Sequence, residues 1–408
     1  MDLVVLAIFA ATYAGLALGR WPGLAIDRTG VALLGAAACL ATGRIDLEEA
    51  KAAVDAPTLV LLFGMMVLSA QYRLSGLYTA IGDRLTAAGS PRRLLAGTIV
   101  VAALLASVLT NDVVCFALAP LLAESLLRAG RNPLPYLLAL AAATNLGSAA
   151  TPIGNPQNIL IATKQTLPFL PFLLACLPTT ALSLAGLHLL LARGLDRPAG
   201  PPVAPAASAE RVPFDRHQAR KALLLTAGAI GFFLSPIPPA LTAMVVAGVV
   251  LASRRMHTRR MLALVDWHLL ALFVGLFVVL AAFEKAGWTR AAHDLLAGAD
   301  LDLTAPLLLV PVVVLLSNVV SNVPAVMLLL PFLPRDPGTG HLLALSSTFA
   351  GNLVLVGSIA NLIVAEQAAR LGVRIAFRDH LRVGLPITLL SVALVVLQAL
   401  LVPASLAP

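Results

Sequence analysis

Long apolar runs broken by short polar insertions divide this chain. Runs of about 17–25 apolar residues mark helical membrane spans. The pattern predicts spans at 3–19, 24–42 and 56–75, followed by an amphipathic piece at 76–89. It then predicts a hairpin of two half-length helices at 92–128, turning at Thr110 to Asp112. A broken helix at 133–166 and a full span at 168–193 follow. Gly194 to Gln218 changes character, and its Pro/Ala-rich composition cannot span a bilayer.

Two of these runs are interrupted midway by small polar residues: Thr110-Asn111-Asp112, and the stretch from Thr144 to Asn158. Lipid offers the backbone no water, so a broken helix persists at membrane depth only beside protein or a wet cavity. Asp112 sharpens the point, because an ionisable side chain within a span is costly and marks function. Paired interrupted helices carrying Asn, Thr, Gly and a carboxylate have the composition of a transport site.

Composition agrees. Of 408 residues, 59% are hydrophobic and 12% charged, with a mean hydropathy of +0.93. One soluble core cannot bury that much apolar surface, so the reading is an all-α polytopic membrane protein. The net charge of +8 sits in short loops, which indicates membrane topology rather than nucleic-acid binding. Cys39, Cys115 and Cys176 lie within apolar runs and read as small hydrophobes. The first run has no basic leader or cleavage site and is taken as a retained span.

The second half repeats the first. A shift of 211 carries Val54-Asp55 to Val265-Asp266, Gly64 to Gly275, Gly76 to Gly287 and Thr110-Asn111 to Ser321-Asn322. At the second break the shift becomes 203, carrying Gly154 to Gly357 and Asn158 to Asn361. Such internal symmetry is expected of secondary transporters. Placing the basic loops in the cytoplasm makes the spans alternate and puts both termini outside. The hairpin at 92–128 then enters from the cytoplasm and its mate at 303–334 from outside. The division is two inverted repeats, 1–193 and 219–408, joined by a cytoplasmic linker at 194–218.

The candidate chemistry lies at the tips and the facing breaks. At Thr110-Asn111-Asp112 and Ser321-Asn322 one half-helix ends and another begins. Exposed N–H groups of the second half-helix suit an anion, and the carbonyls ending the first suit Na⁺. Helix N-capping is the alternative for these residues, and for Asp112 as well. Facing them are Thr144, Asn145, Gly147 and Ser148 with Gly154, Asn155, Gln157 and Asn158. Their counterparts are Gly351 and Asn352 with Gly357, Ser358 and Asn361. Small-residue packing accounts for the Gly and Ser residues but not for Asn155, Gln157 and Asn158 together. Asp55 and Asp266 read as helix N-caps, and Lys164 as an anion-attracting or interface-seeking residue. No Arg or Lys is predicted at the midplane. No ATP-binding, hydrolase or metal motif is evident in the sequence.

The stretches TND, PLPYLLALAAATNLGSAATPIGNPQNILIA, SNVPAVMLLLP and GSIANLIVAEQ resemble the ion transporter superfamily. The similarity is strongest to its arsenite-permease and sodium–proton-antiporter family, in the branch of bacterial inner-membrane anion permeases. That resemblance implies an inverted-repeat fold with two re-entrant hairpins, an elevator-like movement and a homodimer. In related dicarboxylate–sodium symporters a Ser-Asn-Thr triplet at each tip binds Na⁺ and carboxylates. The matching positions here are Thr110, Asn111, Asp112 and Ser321, Asn322, Val323, which depart at the third residue of both triplets.

The expected function is secondary transport of a small anion or arsenite-like oxyacid. H⁺ or Na⁺ is the coupling ion, with Na⁺ at Asn111, Asp112 and Asn322, and no further cofactor is expected. A Na⁺/H⁺ antiporter using Asp112 is the rival within transport. An intramembrane enzyme and a passive channel are the rivals outside it, and the absence of a catalytic constellation counts against the enzyme.

Overall fold

The computed structural model describes residues 2–19, 23–87, 89–193, 195, 211–299 and 301–401, and among these every regular element is helical. The first half runs α1 (Leu3–Leu18), α2 (Arg28–Ala41), α3 (Leu47–Ala53), α4 (Ala56–Leu74) and α5 (Leu77–Thr86). It continues with α6 (Pro91–Val108), α7 (Asn111–Arg128), α8 (Leu134–Ser148), α9 (Pro156–Lys164) and α10 (Phe169–Ala192). The second half opens with α11 (Arg216–Phe233), α12 (Pro239–Leu251), α13 (Thr258–Leu262), α14 (Trp267–Lys285) and α15 (Trp288–Gly298). It closes with α16 (Pro306–Val320), α17 (Asn322–Leu329), α18 (Pro337–Ala350), α19 (Ile359–Arg370) and α20 (Phe377–Leu401). The same ten-helix order occurs twice.

Local chemistry sets these boundaries at matched places. Asp55 and Asp266 both cap the following span, accepting from the Thr58 and Leu269 N–H groups at 2.9 Å. Each satisfies an otherwise orphaned donor. Gly76 and Gly287 end the same two spans in the left-handed region, at φ 70° and 80°, where a side chain is disfavoured. There the chain turns sharply into the amphipathic helices α5 and α15.

The helices form two groups. In one, α2 packs along α14, α12 packs along α4, and α1 and α11 lie against them. A Cβ at Gly64 would stand 2.6 Å from the Ala243 carbonyl oxygen, and one at Gly275 would stand 2.7 Å from the Ala32 carbonyl carbon. Both glycines allow backbone contact, and the two contacts are mates under the 211 shift. The other group holds α6–α10 and α16–α20, with α7 against α19 and α9 against α17.

Three expectations need correction. The first hairpin is not built of half-length helices: α6 and α7 have 18 residues each, about 27 Å at 1.5 Å per residue. Thr144, Asn145, Gly147 and Ser148 are helical, in the last turns of α8, and the unwound segment runs from Ala149 to Asn155. The linker is shorter than expected, because Asp215 already caps α11. Most of 194–218 lies outside the described residues.

Candidate functional site

The first tip rests on the end of α8, beside the first break. Asn111 opens α7, and its Nδ2 donates to Asn145 Oδ1 at 3.0 Å. Asn145 Nδ2 then crosses to the other half, donating to Asn352 Oδ1 at 3.0 Å and to Asn361 Oδ1 at 3.2 Å. Ser358 Oγ returns the contact, donating to Asn145 Oδ1 at 3.1 Å. On the other side Asn155 Nδ2 donates to Thr348 Oγ1 at 3.1 Å, and Thr348 Oγ1 donates to Asn158 Oδ1 at 3.3 Å. Gln157 Nε2 also reaches Thr348 Oγ1, at 3.3 Å. Apart from Asn111, on the tip helix, this is one buried polar network shared by the two breaks.

Glycine makes the close approach feasible. A Cβ at Gly154 would lie 2.3 Å from the Ser148 carbonyl oxygen, and one at Gly147 would lie 2.3 Å from the Ala103 Cα. At Gly351 and Gly357 the nearest atoms belong to Asn322 and Asn318. The second tip therefore meets the second break, as the first meets the first.

Capping does not explain the tips. Thr110 and Ser321 hold the N-cap positions, and neither makes a side-chain cap hydrogen bond. Asp112 is the second residue of α7, inside the helix and not at its cap. The buried Oδ1 atoms of Asn111 and Asn322 have no hydrogen-bond partner among the described residues, and neither has Asn318 Oδ1. Carbonyl oxygens left unpaired at matched positions are the ligand type a hard cation takes. Ser321 has φ 78° and ψ 159°, a backbone region that belongs to glycine and costs about 1–3 kcal/mol for other residues. Thr110, its mate, is relaxed at φ −66°.

Two cavities lie at opposite ends of α14. One, of about 480 Å³, is lined by Ala53, Leu160, Lys164, Ala281, Glu284 and Met327. The other, of about 140 Å³, is lined by Leu264, Ile363, Ala70, Arg73 and Phe116, with Asp112 and Asp266. Ala53 and Leu264, Ala70 and Ala281, Arg73 and Glu284, and Phe116 and Met327 are mates at 211, while Leu160 and Ile363 are mates at 203. These are the same place in the two halves, with unequal volumes. The end of α4 shares the smaller cavity with Asp266, the N-cap of α14.

Sequence reasoning missed several residues here. Arg73, expected in a basic loop, lines the cavity of Asp112 and stacks on the Phe116 ring at 4.2 Å. Lys164 reaches Asp55 at 2.6 Å, linking the two helix groups. Asn318 and Thr348 escaped notice because their mates are Ser107 and Asn145, which are not identical residues. The Asn-Val-Val-Ser-Asn spacing of Asn318 and Asn322 was the available signal. Glu124 is buried, and pairs with Arg128 at 2.7 Å and Arg211 at 3.5 Å. Cys115 Sγ lies 3.0 Å from Thr144 Oγ1 within the packing.

Two hairpins whose tips meet two broken helices, in a long apolar chain, define a multi-pass membrane transporter and not an enzyme. The chain belongs to the citrate transporter family (CitMHS), whose model matches residues 4–340. An uncharacterized transporter of Mycobacterium tuberculosis is 31% identical over 97% of both chains. The silicon efflux transporter LSI3 of Oryza sativa is 32% identical, over 91% of this chain and 92% of its own. The putative transporter arsB of Dictyostelium discoideum is 25% identical, over 90% and 86%. Among solved structures, the YdaH transporter of Alcanivorax borkumensis shares the fold at TM-score 0.56 and 17% identity, covering 98% of this chain and 96% of its own. MtrF of Neisseria gonorrhoeae does so at TM-score 0.59 and 12% identity, covering 97% and 94%.

Proposed function

We propose that this chain is a secondary transporter for a small oxyanion or uncharged oxyacid, driven by Na⁺ or H⁺. The observation that carries this reading is the pair of equivalent cavities, about 480 and 140 Å³, at opposite ends of α14 and lined by residues that are mates under the repeat. Alternating access needs two related vestibules that are not open together. The group α6–α10 with α16–α20 would slide as an elevator against α1–α4 with α11–α14. Gly76 and Gly287, where α5 and α15 leave the spans, would serve as the joints. With the basic loops in the cytoplasm of a bacterial inner membrane, the wider cavity faces outside.

The network supplies amides and hydroxyls. That lining suits a small hydroxylated solute better than a tricarboxylate, whose charges would need cationic partners. A silicic-acid-like or arsenite-like molecule fits, in keeping with the names of the rice and Dictyostelium relatives. The unpaired Asn111 and Asn322 oxygens, with Asp112, are the proposed coupling-ion ligands. A second reading, Na⁺/H⁺ antiport, draws support from Asp112 and Asp266 sharing one cavity.

Proteoliposome uptake across citrate, silicate, arsenite and phosphate, with Na⁺ and pH gradients imposed separately, tests the proposal. Uptake of one oxyacid driven by one gradient supports it. Na⁺/H⁺ exchange without solute movement replaces it with antiport.

A further inference from the structure

A third cavity, of about 590 Å³, lies away from the network, among the start of α8, the end of α10 and the start of α20. Arg131, Arg193 and Arg382 line it, each from a different segment. Arg131 donates to the Gly89 carbonyl at 3.2 Å, and none of the three forms an ion pair among the described residues. Among the described residues Asp379 is the one carboxylate lining the cavity; it accepts from the Ala376 N–H at 3.1 Å, within its own turn. Leu134, Leu138 and Leu190 add an apolar part to the lining.

We infer that this groove is a binding site for an anionic phospholipid. Three guanidiniums at the rim match a phosphodiester, because each offers forked N–H donors to phosphate oxygens. The apolar part matches the first carbons of an acyl chain. Basic pockets between spanning helices on the cytoplasmic side take anionic head groups for these reasons. A freely dissolved phosphate would use the rim but gain nothing from the leucines, so the whole lining selects lipid. The groove joins α8 and α10 to α20, and so ties the two repeats together on the basic side.

The test uses the full chain in neutral detergent, with phosphatidylglycerol, phosphatidylcholine or inorganic phosphate added as separate probes. Retained lipid is read by native mass spectrometry and thermal unfolding is followed in parallel. Phosphatidylglycerol is expected to stay bound and raise Tm, while phosphatidylcholine and inorganic phosphate leave Tm unchanged. Arg131→Gln, Arg193→Gln and Arg382→Gln should each weaken retention roughly fivefold. Asp379→Asn, which removes the opposing charge, should strengthen it. Equal retention of both lipids, or retention unchanged in all four variants, overturns the proposal. The same Tm rise with inorganic phosphate alone overturns it in favour of a soluble-anion site. If the arginine variants do not fold, the Asp379→Asn result and the lipid preference of the native chain still decide.

Discussion

Asn158 and Asn361, 203 positions apart, do the same two jobs in the two halves. Asn158 Nδ2 donates across its own break to the Ser148 and Thr151 carbonyls at 3.3 and 3.0 Å. Asn361 Nδ2 does so to the equivalent Gly351 and Val354 carbonyls, at 2.8 and 3.4 Å. Each then offers its Oδ1 to the opposite half, to Thr348 for Asn158 and to Asn145 for Asn361. Thr348 and Asn145 are themselves mates. Neither break is closed without the other half.

Asn158→Ala and Asn361→Ala should therefore destabilise the fold to a similar degree. Each leaves buried carbonyls and a cross-half donor unsatisfied, at about 1–3 kcal/mol per group. Thermal unfolding in matched lipid measures this. A large loss for one variant and none for its mate would reduce the equivalence to shape alone.

Asn111→Ala and Asn322→Ala should differ from that pair by abolishing transport with much smaller losses of stability. Their Oδ1 atoms have no internal partner, so the fold gives up one bond at Asn111, from its Nδ2 to Asn145, while a bound cation loses a ligand. Uptake and unfolding midpoint, measured on the same preparations, separate the two effects. Near-normal uptake by both variants would return these residues to a structural role.

Much of this architecture is legible in the sequence because broken helices impose strict demands. An interruption among apolar residues needs Gly, Pro, Asn or Thr, so both tips and both breaks announce themselves. Capping at Asp55 and Asp266 is equally local. What could not be read depends on contacts between halves. Lys164 gives no sign of Asp55, which lies on another helix, and Arg73 reads as a loop residue until α7 is placed beside it. The expected bounds of the first hairpin, 92–128 with the turn at Thr110 to Asp112, match α6 and α7, and only the half-length label fails, because each arm has 18 residues. The offset of 203 pairs Asn145 with Thr348, a substitution that hides the cross-half bonds.

The unequal cavities predict unequal access. Cysteines placed at the mates Ala281 and Ala70 should react differently with a membrane-impermeant thiol reagent applied from outside. Ala281→Cys lines the wider cavity and is expected to label rapidly, whereas Ala70→Cys should not. Equal labelling, or the reverse order, would contradict the assigned orientation.

The Lys164–Asp55 pair bridges the two helix groups beside the wider cavity, with side chains 39% and 12% exposed. Partial exposure limits its worth to about 1 kcal/mol. That suffices to shift a two-state balance roughly fivefold. Lys164→Gln should lower labelling of Ala281→Cys from outside and raise labelling of Ala70→Cys when the reagent is applied from the cytoplasmic face, while Asp55 keeps its cap on Thr58. Unchanged labelling would mean that the pair does not hold one conformer.

Ion coupling is the centre of the account, and Asp112 distinguishes the halves, since its mate is Val323. It caps no helix, and it shares a cavity with Asp266 and Arg73. A carboxylate inside a span is costly unless it carries a proton or answers a cation. The most direct measurement is uptake rate against pH and against Na⁺ in proteoliposomes of the native chain and of Asp112→Asn. The variant is expected to assemble normally and to lose the dependence on the driving ion. Identical pH and Na⁺ profiles in the two proteins would contradict the account.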